Sequence, residues 1–513
     1  MEIVGNSFAV GALLAWPGVI ILMFRFLSLE RALIWSILGG YMLLPQITEL
    51  NFPGIPPLNK TTIPNVTAFL VIVVMTGRLP GLLPRGLFGR GLLLLLALSP
   101  AMTALGNLDP VRFGFQTIGG MLVFDGSNLV RSELPGMRLY DVASELVRQA
   151  MILMPFFLAR HYLRSEAALR EILRALVIGG LIYAVPMLIE VRFSPQLHTW
   201  VYGFFQHDFS QAMRAGGFRP FVFMPHGLWV AFFAFMTAMA GVAMAMSAAP
   251  EKRVNQWVIA LVLIGLIPLT KTLGVIAYAA LLIPALLFLG ARLHLLFGAA
   301  VSLVVLAYPL ARGLGYVPTG WLVRLVEGFN PERASSLAFR FDNEFLILLH
   351  TEERPLLGWG SWGRFRPHDP MTGDSGVIVD GQWIITIGQF GWLGYIALFG
   401  LLVLPLMALW WQGRRTHAAP VPVTVSALVL IYAANMIDLL PNATLVPLTL
   451  LIGGALLAYA EEMRAETDRR TALATPRRRP SALLGARGAA AAPGRAAIDP
   501  AARDLKARRR SML

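Results

Sequence analysis

The chain contains no cysteine. Disulfides, thiolate metal sites and a cysteine nucleophile are therefore excluded. Charge is scarce as well. Only 14% of the 513 residues are Asp, Glu, Lys or Arg, against about 25% in soluble domains. The ten-residue polar/apolar alternation of an outer-membrane barrel is missing. So is a basic start followed by a small-residue cleavage site, and the first apolar run reads as a span rather than a removed signal. No internal repeat and no inverted pair of broken helices of the transporter kind is visible.

What is present is apolar sequence, 56% of the chain. Runs long enough to cross a bilayer recur at 8–24, 31–45, 64–77, 88–105, 145–160, 173–191, 227–247, 255–269, 272–290, 294–312, 382–410, 422–439 and 443–460. The expectation is an all-α, polytopic helical bundle of about 12–13 spans over residues 1–460, with a large loop at 313–381. Pro17, Pro186, Pro268 and Pro284 are candidate kinks.

The net charge of +14 is distributed rather than patched. Arg25 and Arg31, then Arg78, Arg85 and Arg90, then Arg160, Arg164, Arg170 and Arg174, all fall on one side of the predicted topology. Lys252, Arg253, Arg292, Arg414 and Arg415 join them. The positive-inside rule makes that side cytoplasmic, in a bacterial inner membrane, with the C-terminus inside. Beyond Tyr459 the chain holds 13 Arg/Lys and 6 Asp/Glu among many Ala and Pro, so 461–513 reads as a disordered basic tail near anionic lipid headgroups. Such a pattern fits membrane topology rather than nucleic-acid binding.

The other side carries the long loops 46–63, 106–144, 192–226 and 313–381. Basic residues there run against the topological bias and suggest an anionic ligand. Arg214, Arg219 and His226 precede the seventh span, Lys271 sits in the turn Thr270–Thr272, and Arg340 opens the longest polar stretch. Guanidinium forks suit phosphate and diphosphate. Any one of these residues is accounted for as well by snorkelling to the headgroup layer; the set favours function. On a helix, Arg340, Glu344 and Leu348 share a face, and Glu344 then has Arg340 as an ordinary ion-pair partner. Gly358, Gly360 and Gly363 flank Trp359 and Trp362, residues suited to tight turns and to sugar or membrane-interface contacts. His368, Asp369, Asp374 and Asp380 match no metal-ligand spacing, and no metal or cofactor is expected.

On these residues the chain resembles the O-antigen ligase/polymerase superfamily of bacterial envelope glycosyltransferases. Arg214, Gly217-Phe218 and Pro225-His226 stand where the family has Arg, Gly-x-Phe and Pro-Asn, with His226 replacing Asn. Thr270-Lys271-Thr272-Leu273-Gly274 stands for a Thr-x-Ser-Arg-Gly turn. Ser336 to Arg340, then Pro355-Leu356-Leu357-Gly358-Trp359-Gly360, match the opening of the family's loop. Eleven residues before Gly391 in Gly391-x-x-Gly394, many ligases have His; this chain has Asp380. That departure turns the reading from ligase towards polymerase.

The resemblance implies a donor glycan on undecaprenyl diphosphate, transferred outside the membrane to another lipid-linked unit, with a chain-length regulator as a further partner. It also implies roles. Arg214, Arg219, Lys271 and Arg340, with His226, face the diphosphate, while Asp380, then Glu344, then again His226 are candidates to accept the acceptor proton. Rival readings are a ligase that passes glycan to lipid A core or protein, a transporter or flippase, and a non-catalytic scaffold.

Overall fold

The computed structural model describes residues 4–52, 55–118, 121–125, 128–214, 216–415 and 421–474. In chain order its helices are α1 (Ser7–Phe26), α2 (Leu29–Leu43), α3 (Thr62–Thr76), α4 (Leu87–Leu105), α5 (Leu139–Tyr162) and α6 (Glu166–Phe193). There follow α7 (Leu197–Tyr202), α8 (Gly227–Met246), α9 (Pro250–Leu269), α10 (Leu273–Phe288), α11 (Ala291–Gly313) and α12 (Thr319–Glu327). The last are α13 (Pro331–Thr351), α14 (Gln382–Arg415), α15 (Val423–Asp438) and α16 (Pro447–Ala474). All but α7, α12 and α13 coincide with an expected span. Eight are long and apolar enough to cross a membrane, and α3, α10 and α15 are shorter apolar helices. The fold is an all-α polytopic bundle.

Hydrocarbon offers no hydrogen bonds, so each span satisfies its backbone internally and spends side chains at its ends. Asn6 accepts from the Ala9 N–H at 3.0 Å and Ser165 from that of Ala168 at 3.1 Å. Helices α8 and α15 are apolar all round, and nearly every residue of each is buried. They form the centre of the bundle. Close approach there needs small residues: a Cβ on Gly180 of α6 would lie 2.6 Å from the Thr237 Cβ of α8. The outer helices leave Leu14, Ile21, Val258 and Leu261 exposed, as lipid-facing positions should be.

The prolines named as candidate kinks lie inside α1, α6, α9 and α10. The sharp break is at Gly391 in α14, with φ 62° and ψ −165°. There the loop reaches into the helix. The Trp359 and Gly360 N–H groups donate to the Gly388 and Gln389 carbonyls at 2.8 and 2.9 Å. Those of Trp392 and Leu393 donate to the Pro355 and Leu356 carbonyls at 2.8 and 3.2 Å. The backbone groups freed by the break are thus paired again. Two glycines make this possible: a Cβ on Gly391 would lie 2.3 Å from the Leu356 backbone, and one on Gly358 2.6 Å from that of Gln389. The sequence elements 355–360 and 391–394, read apart, are two halves of one clamp.

The stretch 313–381, expected as a loop, contains α12 and α13. Six short strands, β1 (Val111–Arg112), β2 (Phe115–Ile118), β3 (Met121–Phe124), β4 (Glu133–Leu134), β5 (Met213–Arg214) and β6 (Gly217–Phe218), form the antiparallel pairs β1–β4, β2–β3 and β5–β6. The tail differs from expectation at its start. Helix α16 continues through 461–474, because Glu461 and Glu462 find partners in Arg160, Arg164 and Arg85. Residues 475–513, the rest of the expected disordered tail, lie outside the described residues.

Candidate functional site

Three chain segments converge where α8 and α10 begin. The hairpin β5–β6 carries Arg214 on one strand, and Arg219 follows the other. Arg219 is 2% exposed. Its Nη2 donates to the Thr272 hydroxyl at 3.0 Å, which ties the hairpin to the cap of α10. Its Nε is buried without a hydrogen-bond partner. Space for the guanidinium exists because residue 227 is glycine; a Cβ there would lie 2.3 Å from the Arg219 Nε. Lys271, in the left-handed region at φ 52°, donates from Nζ to the Arg214 carbonyl at 3.0 Å. It passes over Gly217, where a Cβ would lie 2.4 Å from Nζ.

No carboxylate pairs with Arg219 among the described residues. Burial pushes its guanidinium down to about 9, helped by the positive charges of Arg214 and Arg333. Arg214 is lowered as well, first by burial and then by Arg333 and Arg340, with Glu332 opposing. The positive ends of α8 and α10 add to this field. A buried guanidinium repelled by half-buried cations, at the start of two helices, forms a ready anion site.

His226 closes the site from the side. Its Nδ1 accepts from the Leu228 N–H at 3.1 Å and caps α8. Burial and Arg219 push it down to about 3, so the ring is neutral with its proton on Nε2. That tautomer makes His226 a donor, against its expected role as a proton acceptor. Its ring lies 4.8 Å from that of His207, centroid to centroid.

Arg340 and Asp380 are brought together as an ion pair, with Nε 3.1 Å from Oδ2. Arg340 also reaches the Asn442 side-chain oxygen at 3.4 Å. Asn442 in turn donates to Asp438 at 3.0 Å, and Thr444 donates to the same carboxylate at 2.7 Å. Glu344 does not pair with Arg340. Its partner is Arg312 on α11, with Nε 3.6 Å from Oε2 and no hydrogen bond between them. The helix α13 does place Arg340 and Glu344 on one face, but that face is pressed against two different elements. Burial pushes the Glu344 carboxyl up to about 7, against the pull of Arg312. Both carboxylates line one narrow crevice with Arg340, Ile347, Ile378 and Gly381, about 10 Å³ in volume.

Several contributing residues escaped the sequence reading. Arg333, in the first turn of α13, acts on Arg214 and Arg219. Glu190, 1% exposed at the end of α6, accepts from the N–H groups of Phe221 and Val222 at 2.7 Å each and so fixes the chain between Arg219 and His226. Asp438 and Asn442 were readable signals: two polar residues four apart in a short apolar turn. Other residues of the polar stretch are structural. Trp359 is buried, stacked on His350 at 4.2 Å with Arg354 over its other side at 4.4 Å. Asp369 holds a turn through the Met371 and Thr372 N–H groups.

A multi-pass helical membrane protein with an uncompensated cationic site at the ends of its spans is the class so defined. No family model matches this chain, and no curated protein matches it.

Proposed function

We propose that the protein is a glycosyltransferase of the O-antigen ligase/polymerase kind. It polymerises lipid-linked oligosaccharide units at the periplasmic face of the bacterial inner membrane, with its C-terminus in the cytoplasm. One observation carries the reading: Arg219 is buried, without a carboxylate partner among the described residues, and flanked by Arg214, Lys271 and Arg333 where two helices begin. A diphosphate is the anion such a site suits, since guanidinium forks and helix N-termini each meet phosphate oxygens.

In this reaction the acceptor hydroxyl oxygen bonds to the anomeric carbon of the donor sugar. The bond from that carbon to the phosphate oxygen breaks, and the electron pair leaves on the lipid diphosphate. Negative charge grows on the leaving group, where Arg214, Arg219 and Lys271 stabilise it. The acceptor proton goes to a carboxylate. Glu344, raised to about 7, is matched to proton transfer near neutral pH. Asp380 is held by Arg340, so this pair orients rather than accepts.

The test is the envelope glycan profile of a deletion strain complemented with wild type, Arg340→Ala, Arg219→Ala or Asp380→Ala. Loss of polymer with single units left on lipid is expected for the deletion and for Arg219→Ala and Arg340→Ala. Long polymer that persists without its usual anchor would instead make the protein a ligase. Full polymer from a normally inserted Arg340→Ala variant would sink the reading.

A further inference from the structure

No residue of α12 is buried, although Trp321, Leu322, Val323, Leu325 and Val326 make most of it apolar. Successive residues on a helix turn by about 100°, so these five fill an arc of about 200°, with Arg324 and Glu327 outside it. The bundle covers only part of that arc. Helix α12 packs chiefly against α13, and Leu322, Val323 and Val326 are half-buried. Trp321 and Leu325, one turn apart, stay exposed, and Phe329 just beyond the helix is 85% exposed.

The neighbours of this stripe say what covers it. The preceding span, α11, exposes Leu303, Leu310 and Leu314, seven and four residues apart and so along one lipid-facing side. Gly315, at φ 75°, turns the chain, and the Tyr316 N–H donates to the Ala311 carbonyl at 2.9 Å. Helix α12 then begins at Thr319. At its other end, α13 is tied back to the same end of α11. Arg312 donates from Nη2 to the Phe341 carbonyl at 3.0 Å and pairs with Glu344. Helix α12 is thus held between two attachments to the end of one span, where hydrocarbon gives way to headgroups. The exposed apolar surface of α11 is carried on by Tyr316, Trp321, Leu325 and Phe329, and Tyr and Trp are the residues of the interfacial belt.

We propose that α12 is an interfacial helix, its Trp321–Leu325–Phe329 stripe seated in the lipid leaflet at the Arg340 end of the bundle. It thereby holds α13, with Arg333, Arg340 and Glu344, at headgroup height. The inference rests on the membrane fold and not on the glycosyltransferase reading. Because the chain has no cysteine, single nitroxide labels can be placed on the otherwise unaltered full chain. Labels at Leu325→Cys, Phe329→Cys, Arg324→Cys and Glu327→Cys, with Leu303→Cys as the reference inside α11, are read in phosphatidylcholine nanodiscs. Collision with oxygen reports lipid, and collision with nickel ethylenediaminediacetate reports water. Labels at 325 and 329 are expected about 5–10 Å below the lipid phosphates, shallower than the label at 303, with those at 324 and 327 on the aqueous side. Adding Trp321→Asp should bring the 325 label up into water and leave the 303 label at depth. Nickel access at 325 and 329 equal to that at 324 and 327 would overturn the proposal by placing the stripe in water. Closure of 325 and 329 to both reagents would overturn it too, since protein and not lipid would then cover the stripe. So would a 325 label whose depth ignores Trp321→Asp.

Discussion

Two arginines in this protein are almost equally buried and have opposite surroundings. Arg160 is 3% exposed and Arg219 is 2% exposed. Arg160 meets both oxygens of Glu461, at 2.9 and 3.1 Å, and donates to the Gly81 carbonyl at 3.2 Å. Arg219 has one hydroxyl and an orphaned Nε. Its neighbours repeat the contrast. Beside Arg160, Arg164 and Arg85 share Glu462, and elsewhere Arg31 and Arg174 share Glu171. Around Arg219 stand more cations. Both ends of the bundle are arginine-rich, so the number of positive charges does not tell them apart. The missing counter-charge does. A buried cation without one raises the free energy of the empty protein, and a ligand anion recovers it.

Breaking the compensated end should cost stability first. Arg160→Ala leaves Glu461 partly buried and unpaired, and about 3–5 kcal/mol is the expected loss for such a break. Thermal unfolding should report it, while activity per folded molecule stays near wild type. Next comes the clamp at the break in α14. Gly391→Ala forces a Cβ against the Leu356 backbone at positive φ, and a loss of about 2–3 kcal/mol in unfolding free energy is expected. Breaking the uncompensated end should do the reverse of Arg160→Ala. Arg219→Ala should lower polymer synthesis about 100-fold, as for removal of one transition-state donor, and leave the unfolding temperature equal or higher. A clear fall in that temperature would mean Arg219 is structural and would erase the contrast.

A pH profile sharpens it further. Glu344 lies at about 7 in the folded protein, above the ordinary value near 4.3. A proton acceptor must be ionised, so transfer should rise with pH through about 7, and Glu344→Gln should remove that limb. The stability linkage has the opposite sign. The folded protein holds this proton more tightly than the unfolded chain, so Glu344 favours folding below its unfolded value and loses that contribution as pH rises to about 7. The smallest effect is expected at Arg31, whose pairing with Glu171 is open to solvent. Arg31→Ala should leave both unfolding temperature and polymer unchanged within error.

The helices were legible because hydrocarbon imposes one rule on every span, and apolar length alone locates them. Arg214, Arg219 and Lys271 were legible for the same reason inverted: they are cations on the side that the expected topology disfavours. Partnerships were not. Helical spacing puts Glu344 beside Arg340, yet Arg312 from another helix takes it, because packing between distant segments outranks an i,i+4 neighbour. Arg333 hid among the charges of a long loop, and Glu190 looked like an ordinary span end until its carboxylate was seen holding two backbone amides. The proline kinks were expected from local chemistry, whereas the break at Gly391 depends on a segment some thirty residues earlier that no local rule contains.

The break in α14 also bears on how the protein is made. Residues 355–360 precede α14 in the chain, so they have left the ribosome before Gly391 emerges. The partner that closes the break is therefore already synthesised when the helix arrives. With the order reversed, a span with naked carbonyls would wait in lipid for its complement. Because the clamp segment is made first, the backbone groups freed at Gly391 have their partners within the chain as soon as the helix forms.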